Sequence, residues 1–203
     1  MGQTAFKNDT PGYVSPEDYL RLEHEAEHKH EYYAGEIRAM AGAKSAHNRL
    51  FFNLSGLLFA QLDGSPCEDY TSDQRVQVLN ASSYLYPDLS VVCGDAGFDT
   101  TKNPENLLNP TLIVEVLSAS TAGADRGEKF RLHRQLPSRR QHLMLDSQSI
   151  HAELYTRQDD AHWLFGETRD PAAVLDLSSV GATLPLASLY RGVPLEGWPR
   201  PLG

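Results

Sequence analysis

The chain has 203 residues, 40% of them hydrophobic and 22% charged, which is enough for one substantial core but short for two ordinary domains. The 18 lysines and arginines against 27 acids leave a formal net charge of -9, which argues against a protein that coats nucleic acid or anionic membranes indiscriminately. Cys67 and Cys93 are too few for a disulfide scaffold, and no apolar signal or membrane segment is present, so we predict a cytoplasmic protein with reduced thiols.

The chain is predicted to fold as one domain over residues 15–192, between a flexible leader at residues 1–14 and a proline-rich tail at residues 193–203. Ser15 and Pro16 supply an N-cap and a first-turn proline, which predicts a helix over residues 15–27. Residues 31–40 read as a hairpin around an Ala-Gly turn.

Leucines recur every four residues between positions 44 and 62, with Phe51 and Phe59 widening the stripe, which predicts a core-facing helix. Strands are expected at residues 67–78, 85–92 and 112–117, the last of them central. A basic helix over 124–136 is stopped by Pro137, and strands follow at 141–146, 150–155 and 162–165. We expect residues 171–203 to form an irregular cover. This order of elements favours an α/β sheet flanked by helices.

Glu115 is a single carboxylate inside the hydrophobic run at residues 112–117. A buried carboxylate must be paired, well hydrogen-bonded or bound to a metal. Asp88 starts another apolar strand after Pro87, where a simple turn is the ordinary interpretation. Glu115 on its own is equally compatible with a structural ion pair or an edge position. Together the two acids could hold one hard cation, Mg²⁺ or Mn²⁺.

Residues 126–142 carry six lysines and arginines and a single acid, Glu128, in an otherwise acidic chain. Such a run suits a local phosphate-binding face, and it equally suits a solvated helix face with internal ion pairs. Glu36 and His47 are, taken singly, ordinary surface residues. His24, His28 and His30 could grip zinc, but the sequence around them is more simply a solvated helix end without further ligand motifs.

Several short motifs occur in the order found in the Uma-type family of putative restriction endonucleases, and the sequence resembles that family from about position 16 to 190. They are Tyr33-Ala-Gly-Glu36-Ile, Ala43 to His47, Tyr86-Pro-Asp88, Ile113-Val-Glu115-Val-Leu-Ser118 with Ser120-Thr121, Asp125 with Lys129, and Leu143-Met-Leu-Asp146. The family belongs to the PD-(D/E)XK nuclease superfamily, so the resemblance implies a mixed central sheet flanked by helices.

The resemblance implies that Asp88, Glu115 and the Val116 carbonyl hold Mg²⁺ or Mn²⁺. The usual lysine two residues after the second acid is replaced by Leu117, and Lys129 is where the family places it. Glu36 matches an additional catalytic acid. The DNA contacts implied are Arg126, Arg131, Arg134 and His47.

The sequence therefore predicts a Mg²⁺-dependent endonuclease that hydrolyses DNA phosphodiester bonds with an activated water. A catalytically inactive nucleic-acid-binding or oligomerisation module on the same fold is the alternative, motivated by Leu117 and by the net acidity. A zinc enzyme built on the early histidines is a third. A homodimer is expected only by analogy with enzymes that cut two strands.

Overall fold

The computed structural model describes residues 12–102 and 104–195. The helices are α1 (Pro16–Glu25), α2 (Ser45–Leu62), α3 (Ala122–Ala124), α4 (Phe130–His133) and α5 (Leu186–Leu189), with a 3₁₀ turn at Leu79–Ala81 and a π-helical turn at Asp125–Lys129 that joins α3 to α4. The strands are β1 (His30–Tyr33), β2 (Glu36–Ala39), β3 (Cys67–Thr71), β4 (Val76–Val78), β5 (Ser83–Leu85), β6 (Leu89–Cys93), β7 (Phe98–Asp99), β8 (Asn106–Leu107), β9 (Leu112–Leu117), β10 (Gln141–Asp146), β11 (Ala152–Arg157), β12 (Trp163–Thr168), β13 (Val174–Leu177) and β14 (Ala182–Pro185).

A six-stranded central sheet runs in the order β12-β11-β10-β9-β6-β3, and only its β9 and β10 strands are parallel. A second six-stranded sheet has the order β2-β1-β5-β4-β8-β7, and β13 pairs with β14. The mixed α/β fold with a central sheet flanked by helices is therefore confirmed. The second sheet is an addition that the sequence did not predict.

The two faces of the central sheet carry different layers. On one face α2 and the β13-β14 hairpin share a core with Val114 and Val116 of β9. On the other face Ile113 packs with Leu132 and with residues of the second sheet. Side chains alternate along a strand, so Glu115 shares the face of Ile113 and points toward the α3-α4 segment.

The predicted helices are present, with differences in detail. Ser15 caps α1 by accepting a hydrogen bond from the Asp18 backbone N–H at 3.1 Å, as its position before Pro16 suggested. The leucine stripe of α2 is buried, but the expectation that Phe59 joins the core is wrong, because that side chain is 67% exposed. The basic helix begins at Ala122 and contains the π-helical turn.

The strand predictions were right where the whole predicted stretch belongs to a single sheet. Strands at residues 112–117 and 141–146 have the predicted bounds. The stretches 67–78 and 85–92 each divide into two strands, because their halves belong to different sheets. The irregular cover predicted from residue 171 is wrong as far as residue 195, since a hairpin and α5 bury leucines there. Residues 1–11 and 196–203, in the predicted leader and tail, lie outside the described residues.

Cys67 and Cys93 face each other across β3 and β6 and are joined by a disulfide, not the free thiols expected from their small number. The antiparallel register places the two residues directly opposite, a relationship that a 26-residue separation in sequence does not reveal. Within residues 12–102 and 104–195, none of the helices combines the length and apolar character needed to cross a bilayer.

Candidate functional site

Asp88 lies just before β6, and its side chain binds a backbone N–H of β9 that β6 does not pair. The pairing of β6 with β9 ends at Leu89 opposite Val114, so the Val116 N–H lies beyond it. Asp88 Oδ2 accepts a hydrogen bond from this N–H at 2.7 Å, and Asp88 Oδ1 lies 3.1 Å from His47 Nε2 on α2. The acid thus connects β9 with the first turns of α2.

Lys129 reaches Glu115 from the π-helical turn. Its ammonium lies 3.1 Å from Glu115 Oε2 and donates to the Tyr86 carbonyl at 3.2 Å. Both side chains are buried, with 7% of the lysine and 3% of the glutamate exposed. The structure therefore brings Lys129 to the acid of β9, although 14 residues separate them in sequence.

Glu31 of β1 is a member of this site that sequence reasoning missed. Its Oε1 lies 2.9 Å from Lys129 Nζ and accepts from the Tyr86 N–H at 3.0 Å, while its Oε2 accepts from the Tyr33 hydroxyl at 2.6 Å. Asp125 lies 4.0 Å from the same ammonium. Glu115 was singled out because it is an acid within a mostly apolar strand. Glu31 is likewise an acid within a mostly buried strand, so the same signal could have identified it.

We call Glu31, Glu115, Asp125 and Lys129 the Lys129 cluster. Burial raises the pKa of Glu115 well above its usual value, against the opposing pull of Lys129. Burial likewise raises the pKa of Asp125. Burial alone would lower the pKa of Lys129, but the charges of Glu115, Glu31 and Asp125 outweigh it and hold that pKa well above its usual value. The cluster therefore places three acid groups around one lysine.

His47 lies at the edge of the site beside Asp88. Burial would lower the pKa of His47, but the hydrogen bond and the charge of Asp88 outweigh burial and raise it. The side chains of His47 and Asp88 are 15% and 20% exposed, more than those of Glu115 and Lys129. Asp88 and His47 therefore form the more accessible side of the site.

Glu36 stands apart from this cluster. Its carboxylate is exposed at the start of β2 and accepts two hydrogen bonds from Arg38, at 2.8 and 2.9 Å. The hydrogen bond with Arg38 lowers the pKa of Glu36. Arg38 also donates to Glu128 at 2.7 Å, so Glu36 belongs to a surface ion-pair network.

The basic residues of 126–142 divide between the interior and the surface. Lys129 and Arg139 are buried, whereas Arg131 and Arg134 are exposed. Arg126 forms an ion pair with Glu153 at 2.6 Å, and this hydrogen bond raises the pKa of Arg126. The exposed part of the run is therefore a smaller positive surface than the sequence suggested.

The early histidines do not form a common site. Helix α1 ends at Glu25, so His24 and His28 do not share a helix face. His30 Nδ1 lies 3.1 Å from Glu23 instead. Over residues 12–102 and 104–195, no three His, Cys, Asp or Glu residues are grouped as ready-made metal ligands.

The oxygen donors at Asp88 and Glu115 nevertheless fit a divalent cation. Mg²⁺ is commonly held by one or two carboxylates and keeps several waters. Glu115 Oε1 is buried and has no hydrogen-bond partner among the described residues, and His133 Nδ1 lies 3.8 Å from it. Since the N–H and C=O groups of one strand residue point toward the same neighbour, the Val116 carbonyl also faces the Asp88 side. Two carboxylates and a carbonyl are therefore available to such a cation.

Comparisons with known proteins identify the family of the chain. The model of the Uma2 family, described as "Putative restriction endonuclease", matches residues 16–187. The chain is 38% identical to an uncharacterised protein of Synechocystis, slr1290, over 180 residues, covering 89% of this chain and 93% of that protein. A second Synechocystis protein, sll1609, is 37% identical over 161 residues, covering 79% and 90% of the two chains.

A solved structure has the same fold. It is described as a "putative nuclease belonging to DUF820" from Anabaena variabilis, and it superposes with a TM-score of 0.72 at 14% identity. The match covers 87% of this chain and 97% of the other.

Proposed function

The chain belongs to the Uma2 family of nuclease-like proteins, and from that premise we propose that it is a metal-dependent DNA endonuclease that hydrolyses phosphodiester bonds. The observation that carries the proposal is the contact of Lys129 Nζ with Glu115 Oε2 at 3.1 Å. The N–H of the next residue, Val116, donates to Asp88 at 2.7 Å. The proposed site thus takes Asp88 from just before β6, Glu115 from β9 and Lys129 from the π-helical turn.

The donors for a metal are Asp88, Glu115 and the Val116 carbonyl, and Mg²⁺ or Mn²⁺ suits this all-oxygen set. A divalent cation bound there supplies positive charge beside the phosphate that is cleaved. Lys129 holds the Glu115 carboxylate in place and compensates part of its charge. Glu31 orients Lys129, because its carboxylate is itself fixed by Tyr33 and the Tyr86 N–H.

DNA is proposed to approach from the side of Asp88 and His47, the more exposed part of the site. His47, whose pKa the neighbouring Asp88 raises, offers a contact for a phosphate. Arg131 and Arg134 supply exposed positive charge on the neighbouring helical segment. Such contacts give affinity and position the DNA, but they carry no sequence information.

Cleavage of supercoiled plasmid with Mg²⁺ or Mn²⁺ tests the proposal. The parent chain is expected to cut, while Asp88→Asn, Glu115→Gln and Lys129→Met lose the activity. Asp73→Asn, at a carboxylate 87% exposed in a surface pair with Lys29, is the control that keeps it. Activity that survives Glu115→Gln in samples of equal purity contradicts the assigned site.

The burial of Lys129 favours one alternative, an inactive module on the same fold. The contacts of Lys129 with Glu31, Glu115 and Asp125 are also those expected of a structural ion-pair cluster in a packed core. That function predicts DNA binding without cleavage under either metal. It also predicts that Asp88→Asn leaves DNA affinity in Mg²⁺ unchanged.

A further inference from the structure

Among the described residues, an apolar stripe on α2 lies uncovered at the surface. Phe52 and Phe59 are 69% and 67% exposed, although the buried leucines of the same helix pack into the core. Positions 52, 56 and 59 follow one another at helical spacing, so the two rings flank Gly56 on one face. In the part of the chain that the structure describes, a Cβ added at Gly56 meets nothing within 4 Å, so the surface between the rings is open there.

This stripe is nearly symmetric about its centre. Phe52 lies four residues before Gly56 and Phe59 three residues after it. Arg49 lies seven residues before Gly56, almost two turns, and so shares its face. Asp63 lies seven residues after Gly56, as the C-cap residue that directly follows α2. Two copies of such a helix placed antiparallel would set Phe52 against Phe59 twice, which is the pairing that a two-fold axis requires.

The charges at the two ends of the stripe are complementary in the same arrangement. Arg49 of one copy faces Asp63 of the other, and this contact occurs twice. Within the described residues neither side chain forms an ion pair of its own, and the Arg49 guanidinium lies 5.9 Å from the centre of the Phe52 ring. A parallel arrangement would instead bring like charges together at both ends, so the charges select the antiparallel one.

A groove of about 390 Å³ lies beside Phe59. Its lining combines Phe59, Leu62 and Tyr70 with the acids Asp63, Glu68 and Asp69. In the antiparallel pair, this groove at the carboxyl end of one α2 lies near Phe52 of the other copy. Small residues at the crossing let the helix backbones approach closely enough for the rings to reach it.

We propose that two copies of this chain associate through antiparallel packing of α2 about Gly56, with Phe52 against Phe59 and Arg49 against Asp63. One helix face covers less than the roughly 800 Å² per partner of a standard interface. The dimer is therefore weak and its formation depends on concentration. This proposal does not rest on the nuclease activity, and its test is independent of cleavage.

Sedimentation velocity of the full chain, from low micromolar to several hundred micromolar, measures the association. Arg49→Asp and Asp63→Arg each place like charges together and are expected to weaken the dimer by about tenfold. The double variant Arg49→Asp/Asp63→Arg restores opposite charges and is expected to recover the parent affinity. Gly56→Arg, which the monomer accommodates in open space, is expected to abolish the dimer.

Leu164→Glu is the matched control, because this β12 side chain is 62% exposed and lies outside α2. It leaves association unchanged if the stripe is the interface. A chain that stays monomeric throughout overturns the proposal. So does a dimer that Gly56→Arg leaves intact, one that Leu164→Glu disrupts, or a charge exchange that fails to restore affinity. Circular dichroism of every variant separates lost association from lost folding.

Discussion

Asp88 is bound to the backbone of Val116, the residue that follows Glu115 in β9. The hydrogen bond from the Val116 N–H to Asp88 Oδ2 measures 2.7 Å. It can form because β6 begins at Leu89, opposite Val114, and so does not pair with this N–H. One strand end thus fixes the position of the first acid relative to the second. The same geometry turns the Val116 carbonyl toward that acid.

Asp88→Asn should separate folding from metal binding. The amide oxygen of asparagine can still accept from Val116 N–H, and its NH₂ group can donate to His47, so the urea midpoint is expected to change little. The negative charge is lost, so Mn²⁺ affinity in isothermal titration should fall by about 100-fold or more, since losing even an outer-shell partner costs 10–100-fold. Equal Mn²⁺ affinity in parent and variant contradicts the role of Asp88.

Lys129→Met tests how strongly the Lys129 cluster depends on its single ammonium. The substitution leaves Glu115 and Glu31 buried without their ion-pair partner, and such a loss costs about 3 to 5 kcal/mol of unfolding free energy. Urea denaturation provides the measurement. Adding Glu31→Gln to Lys129→Met removes one of the stranded charges, so the double variant should be more stable than the single one. If the order is reversed, Lys129 does not compensate Glu31.

Much of the fold could be predicted from periodicity and from local end signals. The helix cap at Ser15 and the strand around Glu115 depend on neighbours in sequence, so their bounds were predictable. The division of residues 67–78 between two sheets depends on partners far along the chain, and no local pattern encodes it. Phe59 follows the helical period but meets no core, because the elements packed on α2 leave that face uncovered.

The candidate site divides in the same way. Asp88, Glu115 and Lys129 were identified in the sequence, and the structure brings Lys129 to Glu115. Glu31 was missed because its contacts with Lys129 and with the Tyr86 N–H lie 98 and 55 positions away in sequence. Glu36 matched a motif, but its exposed place beside Arg38 could be learned only from the hairpin geometry.

Protonation of His142 is expected to destabilise the fold in mild acid. Burial, with the nearby charge of Arg139, lowers the pKa of His142 well below its usual value, and its Nδ1 lies 2.7 Å from an Arg139 nitrogen. His142 of the unfolded chain binds a proton near pH 6.5, whereas His142 of the folded chain stays neutral at that pH. Stability is therefore lost as pH falls below about 6.5.

The slope of unfolding free energy between pH 7 and pH 5 provides the test, with at most about 1.4 kcal/mol per pH unit from one histidine. His142→Gln should reduce this slope relative to the parent. The same substitution at His162, whose side chain is 77% exposed, is the matched control. Equal slopes in the two variants would show that His142 does not titrate with unfolding.

Arg134 should contribute more to DNA affinity than Arg126. The Arg126 guanidinium is already engaged by Glu153 at 2.6 Å, whereas Arg134 is exposed and faces the Phe130 ring at 6.0 Å. Each lost phosphate contact reduces the slope of log affinity against log salt by about 0.9. Fluorescence anisotropy over a salt series should show this reduction for Arg134→Ala and a smaller one for Arg126→Ala. Arg21→Ala, in α1, is the control.

Glu31 and Glu36 offer a direct comparison, because they belong to the same hairpin but to different surroundings. Glu31→Gln keeps a hydrogen-bond acceptor for the Tyr86 N–H but removes the charge 2.9 Å from Lys129, so the position of that ammonium is no longer fixed from both sides. Metal-dependent plasmid cleavage should therefore fall by at least about tenfold. Glu36→Gln removes an exposed partner of Arg38, worth at most about 1 kcal/mol, and should leave both cleavage and the urea midpoint near the parent values. If Glu36→Gln abolishes cleavage while Glu31→Gln does not, the additional acid of the site is the one indicated by the family motif, and the Lys129 cluster is structural.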